Sequence, residues 1–551
     1  MSVDIRNQII LNQTESSPRG ALCSWLSRQA PLAAMVLLLM LLSACARFEA
    51  PPRVLDEAAV PSEYTLYDHA PPAPDRWWLL FGSEELNALI AQALVENLSL
   101  QQVYARLTQA EMLAHQAGAP LWPDLEFSGD ASTTRRQTTM DSSVSSLDRV
   151  SQQLSAVNTL ISPASQGGGD TDFSSAVRSA QTRLRAAESL VAEPPPSRVR
   201  ATAHSYRFGL STGYEVDLWG RVRARRQAAL LDYESSREDL YAAMLSLSGT
   251  VARQWLILAG KKQEYALVQG QLALNRKTLD LMEVRFRNGL ATALDVYQQR
   301  QIVAQTESLL PALEENIQTT SHELAVLLGQ APRTPLDITT EALPEVGRLP
   351  TPGLPADLLA RRPDVRAAGL QLHAADWRVS AARADRLPAL RLSASASFDT
   401  NEIDLLFDNW MARLAGSLTG PIFDAGKRRA EVARARTLAE ERLLAYRLKI
   451  LESVKEVENA MVRETQQMVY VEALKRERDT ARAAHAQARE RYLQGANDYL
   501  PVLSALIQLQ TIERRLVQAE FTRLERRIQV CIALGGTWMM EEQPQATPET
   551  E

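Results

Sequence analysis

The chain has 551 residues with 60 Lys and Arg against 66 Asp and Glu, a formal net charge of −6, and room for about two to four domains or one long repetitive one. The acidic balance excludes a general nucleic-acid binder, which would be basic, and a mean hydropathy of −0.20 excludes a multi-spanning inner-membrane transporter. Cys23, Cys45 and Cys531 lack metal-ligand spacing and the six histidines are scattered, so zinc and redox chemistry have no foothold.

The first feature along the chain is an address. Arg19 and Arg28 precede the one compact apolar run, 33–42, which is too short to span a bilayer as a helix. The run ends in Leu42-Ser43-Ala44-Cys45. A basic region, an apolar core and small residues before a cleavage point describe a secretory signal over 1–44. The cysteine resembles that of a bacterial lipobox, which makes Cys45 the expected lipidation site and first mature residue. Ala46 after it, rather than Asp, permits outer-membrane sorting by analogy with lipoproteins. Residues 45–76, with Pro51-Pro52 and prolines from 71 to 74, read as an extended tether.

A duplication with a constant offset of 206 residues organises the rest. Gly220-Arg221 corresponds to Gly426-Lys427, Arg285-Phe286-Arg287-Asn288-Gly289 to Arg491-Tyr492-Leu493-Gln494-Gly495, Leu294 and Val296 to Leu500 and Val502, and Leu328-Gly329 to Leu534-Gly535. Such self-similarity predicts two like halves, 77–329 and 358–536, separated by a connector over 330–357 and followed by a tail over 537–551. The first half opens on Trp77-Trp78 and helices over 83–96 and 99–117, the second with Ser99-Leu100-Gln101-Gln102 as its capping box. The second half opens on Arg361-Arg362-Pro363-Asp364 and a helix over 364–386, with Pro363 in the tolerant first turn.

Each half continues with a strand pair, over about 124–135 and 205–218 in the first and 389–399 and 409–423 in the second. Tyr206, Phe208, Leu210, Thr212, Tyr214, Val216 and Leu218 alternate with Arg207, Gly209, Ser211, Gly213, Glu215 and Asp217, and Trp410, Ala412, Leu414, Gly416, Leu418, Gly420 and Ile422 take every even position. A period of two suits one lipid face and one lumen face of a membrane barrel, and equally a strand of a soluble sheet. In lipid, four strands with open edges cannot stand alone, so partner chains are required. The first strand connection, 136–204, is far longer than its counterpart. It is Ser-rich, with Gly167-Gly168-Gly169 and Pro194-Pro195-Pro196, and reads as an extracellular loop with a helical stretch over 174–192.

Long helices come after each strand pair, over 220–288 and 426–494, without proline between 222 and 288 or between 427 and 500. Leu240, Met244, Leu247, Val251, Trp255 and Leu258 form one apolar seam; Leu444, Leu448, Leu451, Val454, Val457 and Met461 form the other. Some 65 residues at about 1.5 Å each make a rod of roughly 100 Å. Gly289 and Gly495 then break the rods, and helices over 291–328 and 498–534 return.

Taken together, Trp77-Trp78 with Phe81, Tyr214-Glu215-Val216-Asp217-Leu218-Trp219-Gly220, Leu359-Ala360-Arg361-Arg362-Pro363-Asp364-Val365, Gly420-Pro421-Ile422-Phe423-Asp424-Ala425-Gly426, Glu456-Val457-Glu458, Tyr492 with Gly495 and Leu503, and Ala533-Leu534-Gly535-Gly536-Thr537-Trp538 carry a resemblance. The chain resembles the TolC-like outer membrane efflux proteins, especially the lipoprotein branch serving resistance–nodulation–division pumps. That resemblance implies an α+β membrane protein of a Gram-negative bacterium: a homotrimer with four strands per chain in a twelve-stranded outer-membrane barrel, continuing into a periplasmic α-barrel of coiled-coil helices.

It also implies a passive conduit that carries small molecules from an inner-membrane pump and a periplasmic adaptor to the exterior, with no cofactor beyond the lipid on Cys45. The turns at Gly289 and Gly495 become tunnel tips. Asp295 matches a family gate position; the positions six and nine residues after Gly495 hold Pro501 and Ser504 where relatives can carry aspartates, which puts an acidic ring in doubt. Asp498 lies close by, with Arg285, Arg287, Arg491 and Tyr492 as candidate gate or adaptor contacts. Two other functions remain open: the exit duct of a protein secretion system, and a periplasmic adaptor lipoprotein. An adaptor needs neither the duplication nor the alternating strands. No nucleophile elbow, P-loop, dinucleotide fingerprint or metal cluster points to an enzyme.

Overall fold

A computed structural model describes residues 76–140, 152–157, 159, 171–190, 197–336, 338, 340, 343–345, 347, 358–536 and 538–541. The signal segment, Cys45 and nearly all of the tether lie outside the described residues, as do most of the connector and tail and much of the long loop. The chain divides into two compact units, one drawn from Met1–Trp122, Val216–Leu390 and Leu418–Glu551, the other from Pro123–Glu215 and Arg391–Ser417.

The first unit is helical. A 3-10 turn, Trp77–Phe81, leads into α1 (Glu84–Glu96) and α2 (Leu98–Gly118). The cap of α2 is Asn97, whose side chain accepts from the Leu100 N–H at 2.9 Å. Ser99 therefore lies inside the helix, and the expected capping box there is not the start signal. Asn97 also donates to the Leu327 carbonyl at 2.8 Å, so the capping residue serves tertiary packing too.

The long helices are α4 (Arg221–Arg287) and α9 (Lys427–Leu493), each of 67 residues and offset by the 206 residues of the duplication. A carboxylate starts each: Asp217 accepts from the Val222 and Arg223 N–H groups, and Asp424 from those of Gly426 and Arg428. Their negative charge at a helix N-terminus also complements the helix dipole. The first expected seam is buried, with Val251 and Trp255 fully enclosed. The second is not continuous. Leu444, Leu448 and Leu451 are more than half exposed, because this stretch of α9 turns Tyr446 and Ile450 onto Val365 and Leu372 of α8 (Pro363–Ala384) instead.

After the turns, the two halves diverge. The expected return helix 291–328 is two helices, α5 (Ala293–Glu307) and α6 (Leu310–Leu327), whereas its counterpart α10 (Tyr499–Leu534) is continuous. Pro311 explains the break: a proline removes one i→i−4 hydrogen bond and clashes with the preceding turn. In α10, Pro501 falls in the first turn, where no such bond is lost.

The main core gathers around Trp77, Trp78, Trp255 and Trp538; Trp78 and Trp538 meet edge to face at 4.7 Å, and the Trp255 indole donates to Glu85 at 2.6 Å. Cys531 is enclosed there, and burial pushes its thiol up to about 12. The Arg361-Arg362-Pro363-Asp364 motif ties the end of α10 to the start of α8, which comes after a short turn α7 (Leu358–Arg361). Arg362 donates to the Ala533 carbonyl and pairs with Asp364 and Glu456, and the Gly536 N–H reaches the Arg361 carbonyl. Burial raises the pKa of Asp364, but Arg362 and Lys449 outweigh it and hold the carboxyl at about 2.

The second unit is a four-stranded sheet in the order β1 (Asp124–Met140), β2 (Ser197–Val216), β3 (Ala389–Thr400), β4 (Trp410–Thr419). β1 and β2 pair antiparallel from Asp124↔Gly213 to Met140↔Ser197. Both run further than the expected 124–135 and 205–218 at their paired far ends, so the loop is shorter by the same amount. A helix α3 (Thr171–Leu190) lies within it, close to the expected stretch. β4 stops at Thr419, before Gly420-Pro421, because proline cannot donate to a ladder; Ile422 and Phe423 are therefore outside the strand and almost fully exposed. Among the described residues no helix is long and apolar enough to cross a membrane.

Two measurements probe this packing. Gly329 has φ +73° and an added Cβ would sit 2.5 Å from the Glu96 carbonyl oxygen, whereas Gly289, with the same φ, has open space. Gly329→Ala should therefore lower thermal stability clearly more than Gly289→Ala, whose cost is only the left-handed backbone of about 1–2 kcal/mol. The carboxyl of Asp364 is depressed in the fold, so its stabilisation of about 2 kcal/mol is present above about pH 4 and lost as the pH falls through 2. Asp364→Asn should lower the helical unfolding midpoint at pH 7, and the difference from the unmodified protein should vanish near pH 2.

Candidate functional site

Two turns of matching geometry end the long helices. At the first, Gly289 takes φ +73°, its N–H bonds the Phe286 carbonyl, and the Leu290 N–H bonds that of Arg285. At the second, Gly495 takes φ +73°, with Gly495 to Tyr492 and Ala496 to Arg491 in the same pattern. This is the glycine-terminated C-cap in which a left-handed residue lets the chain reverse and satisfy the last carbonyls.

The turns differ in how the next helix starts. Thr292 and Asp295 form a reciprocal capping box, the Thr292 N–H to the Asp295 carboxylate at 2.8 Å and the Asp295 N–H to the Thr292 hydroxyl at 3.2 Å. Asp295 thus has a local structural partner at the position singled out for a gate. Asp498 occupies the cap of α10 but makes no side-chain cap bond, and it is exposed.

Of the other candidates, Arg285 and Tyr492 are brought together. The Arg285 guanidinium lies 4.9 Å from the Tyr492 ring centre, a cation–π contact between the ends of α4 and α9, and also donates to the Leu290 carbonyl at 3.4 Å. Arg287 and Arg491 are exposed. Among the described residues, none of Arg285, Arg287 and Arg491 is paired with Asp295 or Asp498 in one chain.

Sequence reasoning missed the polar chain behind the turns. Tyr492 and Tyr499 pack at 5.3 Å between ring centres; the Tyr499 hydroxyl donates to Gln299 at 2.6 Å, and Gln299 donates to the Asn275 carbonyl at 2.8 Å. The Asn275 amide donates to Thr306 at 3.0 Å and accepts from Gln510 at 2.9 Å. All are buried, and burial, then the neighbouring Tyr492 and Asp295, pushes the Tyr499 pKa up, so it stays a hydrogen-bond donor. Asn275 and Gln510 at otherwise apolar helix positions are the signal that was available. Beside this chain lies a groove of about 390 Å³ lined by Leu281, Met282, His485, Arg489, Tyr492 and Tyr499 among others. Burial, then Arg489, lowers the pKa of His485 and favours its neutral form.

No group of three His, Cys, Asp or Glu side chains among the described residues is arranged to hold a metal ion. The site offers turns, aromatic rings and exposed charges.

Comparison with known proteins agrees in extent and in fold. The family model described as "Outer membrane efflux protein" matches residues 175–330 and 354–536. The chain is 32% identical over 471 residues to the pyoverdine export outer membrane protein OpmQ of Pseudomonas putida, covering 85% of this chain and 89% of that protein. It is 31% identical over 344 residues to the solvent efflux pump outer membrane protein SrpC of Pseudomonas putida, covering 61% and 72%. Among solved structures, the outer-membrane channel OprN superposes with a TM-score of 0.72 at 23% identity, covering 89% of this chain and 99% of that one. The outer membrane protein VceC of Vibrio cholerae gives 0.68 at 24%, covering 85% and 100%.

Removing the Tyr499 hydroxyl leaves the buried Gln299 oxygen without its donor, a loss of about 1–3 kcal/mol. Tyr499→Phe should speed amide hydrogen exchange around residues 290–300 while the exchange around Trp255 stays unchanged.

Proposed function

The chain belongs to the outer membrane efflux protein family and is an outer-membrane efflux channel, and from that premise we propose that three copies close one duct, fed by an inner-membrane pump through a periplasmic adaptor. The observation that carries this reading is the sheet. Its order leaves β1 and β4 as edges, and its even-numbered β4 residues Trp410, Leu414 and Leu418 are exposed, Leu414 at 84%. Open edges are not tolerated in hydrocarbon, so β4 of one copy pairs with β1 of the next until the ring closes. Three sheets give a barrel of about twelve strands, within the range of membrane barrels.

The helical unit supports the same reading. Leu444, Leu448 and Leu451 form an exposed apolar line on α9, and Leu274, Leu281 and Val284 another on α4. Copies assembled side by side bury both. Gly289 and Gly495 then stand at the ends of paired rods, where Asp295, Asp498, Arg285, Arg287, Arg491 and Tyr492 meet the adaptor or the neighbouring tip. Lipidation of Cys45 anchors the chain in the outer membrane.

The duct carries cargo without a chemical step of its own. Relatives are named for pyoverdine, solvents, toluene and cations, a spread that fits selection by the pump rather than by the conduit. This favours small molecules over a secreted protein. The periplasmic adaptor reading has no use for a four-stranded sheet with an apolar face.

The test is the mass of the full-length protein extracted from outer membranes in detergent, with Cys45→Ala and Leu448→Glu as variants. The expected results are a trimer mass, acyl mass on Cys45 that is absent in Cys45→Ala, and weaker trimers in Leu448→Glu, since each buried leucine contributes about 1.5–3 kcal/mol. A soluble monomer in the periplasm overturns the reading.

A further inference from the structure

The geometry points to a second membrane contact: the outward face of a projecting β1–β2 arm binds phosphate groups on the lipid headgroups of the outer leaflet. This rests on the membrane-barrel reading above and adds a ligand to it.

The arm is defined by where β3 ends. Gly209 of β2 lies beside Ala396 and Ser397, Arg207 pairs with Asp399 at 3.0 Å, and β3 stops at Thr400. The register pairs from Ser132↔Ser205 to Met140↔Ser197 therefore continue past the end of β3. These nine pairs extend about 30 Å at about 3.4 Å per residue. A two-stranded ribbon of that length is marginal by itself in water, so a surface to lie on stabilises it.

The outward face can be traced along the ribbon, because side chains alternate with a period of two. On β1 it carries Leu125 and Phe127, then Thr133, Arg135 and Gln137; on β2 it carries Leu210 and Phe208, then His204, Thr202 and Arg200. Three contacts fix this assignment. Phe127 and Phe208 meet edge to face at 4.7 Å between ring centres, Thr133 and His204 share a hydrogen bond of 3.1 Å, and Arg200 donates to Gln137 at 3.1 Å. Phe208 is 6.4 Å from Phe407, which lies 5.3 Å from Phe398. An aromatic cluster thus marks the upper end of the apolar band, where β3 and β4 turn.

Beyond that cluster the same face changes from apolar to basic within a few residues. Arg135 and Arg200 lie on adjacent strands, since Arg135 pairs in register with Thr202 and Gln137 with Arg200. The arm carries no carboxylate among its described residues; Asp130, two residues before it on β1, sits at an even position and faces the other way. Two guanidiniums with no carboxylate beside them among the described residues, held directly above an apolar band, match a surface in which phosphates sit directly above acyl chains. Arginine is suited to this because its planar fork donates two parallel hydrogen bonds to phosphate. Continuity with the apolar band is the reason for choosing a lipid headgroup over a soluble anion.

The test uses full-length protein purified from outer membranes in detergent, titrated with mixed micelles of diphosphoryl lipid A, of the same lipid dephosphorylated, and with inorganic phosphate alone. Arg135→Gln/Arg200→Gln and Arg135→Lys/Arg200→Lys are the variants. The expected result is a preference for the diphosphorylated lipid of about tenfold, lost in the glutamine variant, largely kept in the lysine variant, and not competed by millimolar phosphate. An unchanged preference in the glutamine variant overturns the proposal, and competition by inorganic phosphate overturns the assignment to a lipid. Loss of the oligomer in the glutamine variant would give this face to a neighbouring copy instead and also overturns it. Trimer mass and outer-membrane recovery are read on the same samples, so a variant that assembles normally but ignores lipid phosphate isolates this contact from the channel reading.

Discussion

The backbone hydrogen bonds along the two edges of the sheet are the constraint on which the rest of the structure depends. Within one chain β1 has a partner on one side and β4 has a partner on one side, so each presents a row of N–H and C=O groups. In water such an edge is a risk of aggregation; in hydrocarbon it costs several kcal/mol for each unsatisfied group. A family of outer-membrane channels has one inexpensive way to meet that demand, which is to make the partner edge from another copy of itself. The exposed leucines on α9 and α4 and the exposed face of β4 are then not defects of a monomer. On the trimer reading proposed above, they are surfaces whose partner is the same sequence.

The duplication explains how one chain supplies a large part of such a ring. Six of the seven positive-φ glycines among the described residues fall in pairs 206 residues apart: Gly220 with Gly426, Gly289 with Gly495, Gly329 with Gly535. They sit at the start of each long helix, at its far turn, and at the end of the return helix. Because L side chains avoid that backbone region, these three points fix the length of each element more tightly than the apolar seams do. Between them the halves are free to diverge, and they do so where a single proline allows it. Pro311 splits α5 from α6, while Pro501, at the first turn of α10, leaves that helix whole. The two halves therefore present different surfaces at matching places, which a ring of alternating halves can use for different contacts.

Much of this was legible in the sequence, for physical reasons that also mark where legibility stopped. The 67-residue helices were readable because proline is absent and the glycines recur. The strands were readable because apolar and polar residues alternate along them with a period of two. The far halves of β1 and β2 were not, because beyond Ala131 and Tyr206 the alternation of apolar and polar residues disappears; backbone pairing and the cross-strand contacts Thr133–His204 and Arg200–Gln137 hold the arm. The N-cap is Asn97 rather than Ser99: two capping residues lie two positions apart, and Asn97 both caps the Leu100 N–H and donates to the Leu327 carbonyl. The line Leu444, Leu448, Leu451 reads as core because the apolar pattern of a helix face does not say whether its own chain covers that face.

The tips show the same limit from the other direction. A family motif directs attention to Asp295, yet in one chain its carboxylate is already engaged with the Thr292 N–H. An acid that caps a helix can still accept a further donor, since a carboxylate has about four lone-pair sites, but any such donor must compete with an existing bond. Asp498 carries no such obligation, and Arg287 and Arg491 stand exposed at the adjacent helix ends. The two turns are alike in backbone and unlike in electrostatics, one acid held and one free to reach. On the tip reading proposed above, Asp498 can take a partner with no cap bond at stake, whereas a partner of Asp295 shares its carboxylate with the Thr292 N–H.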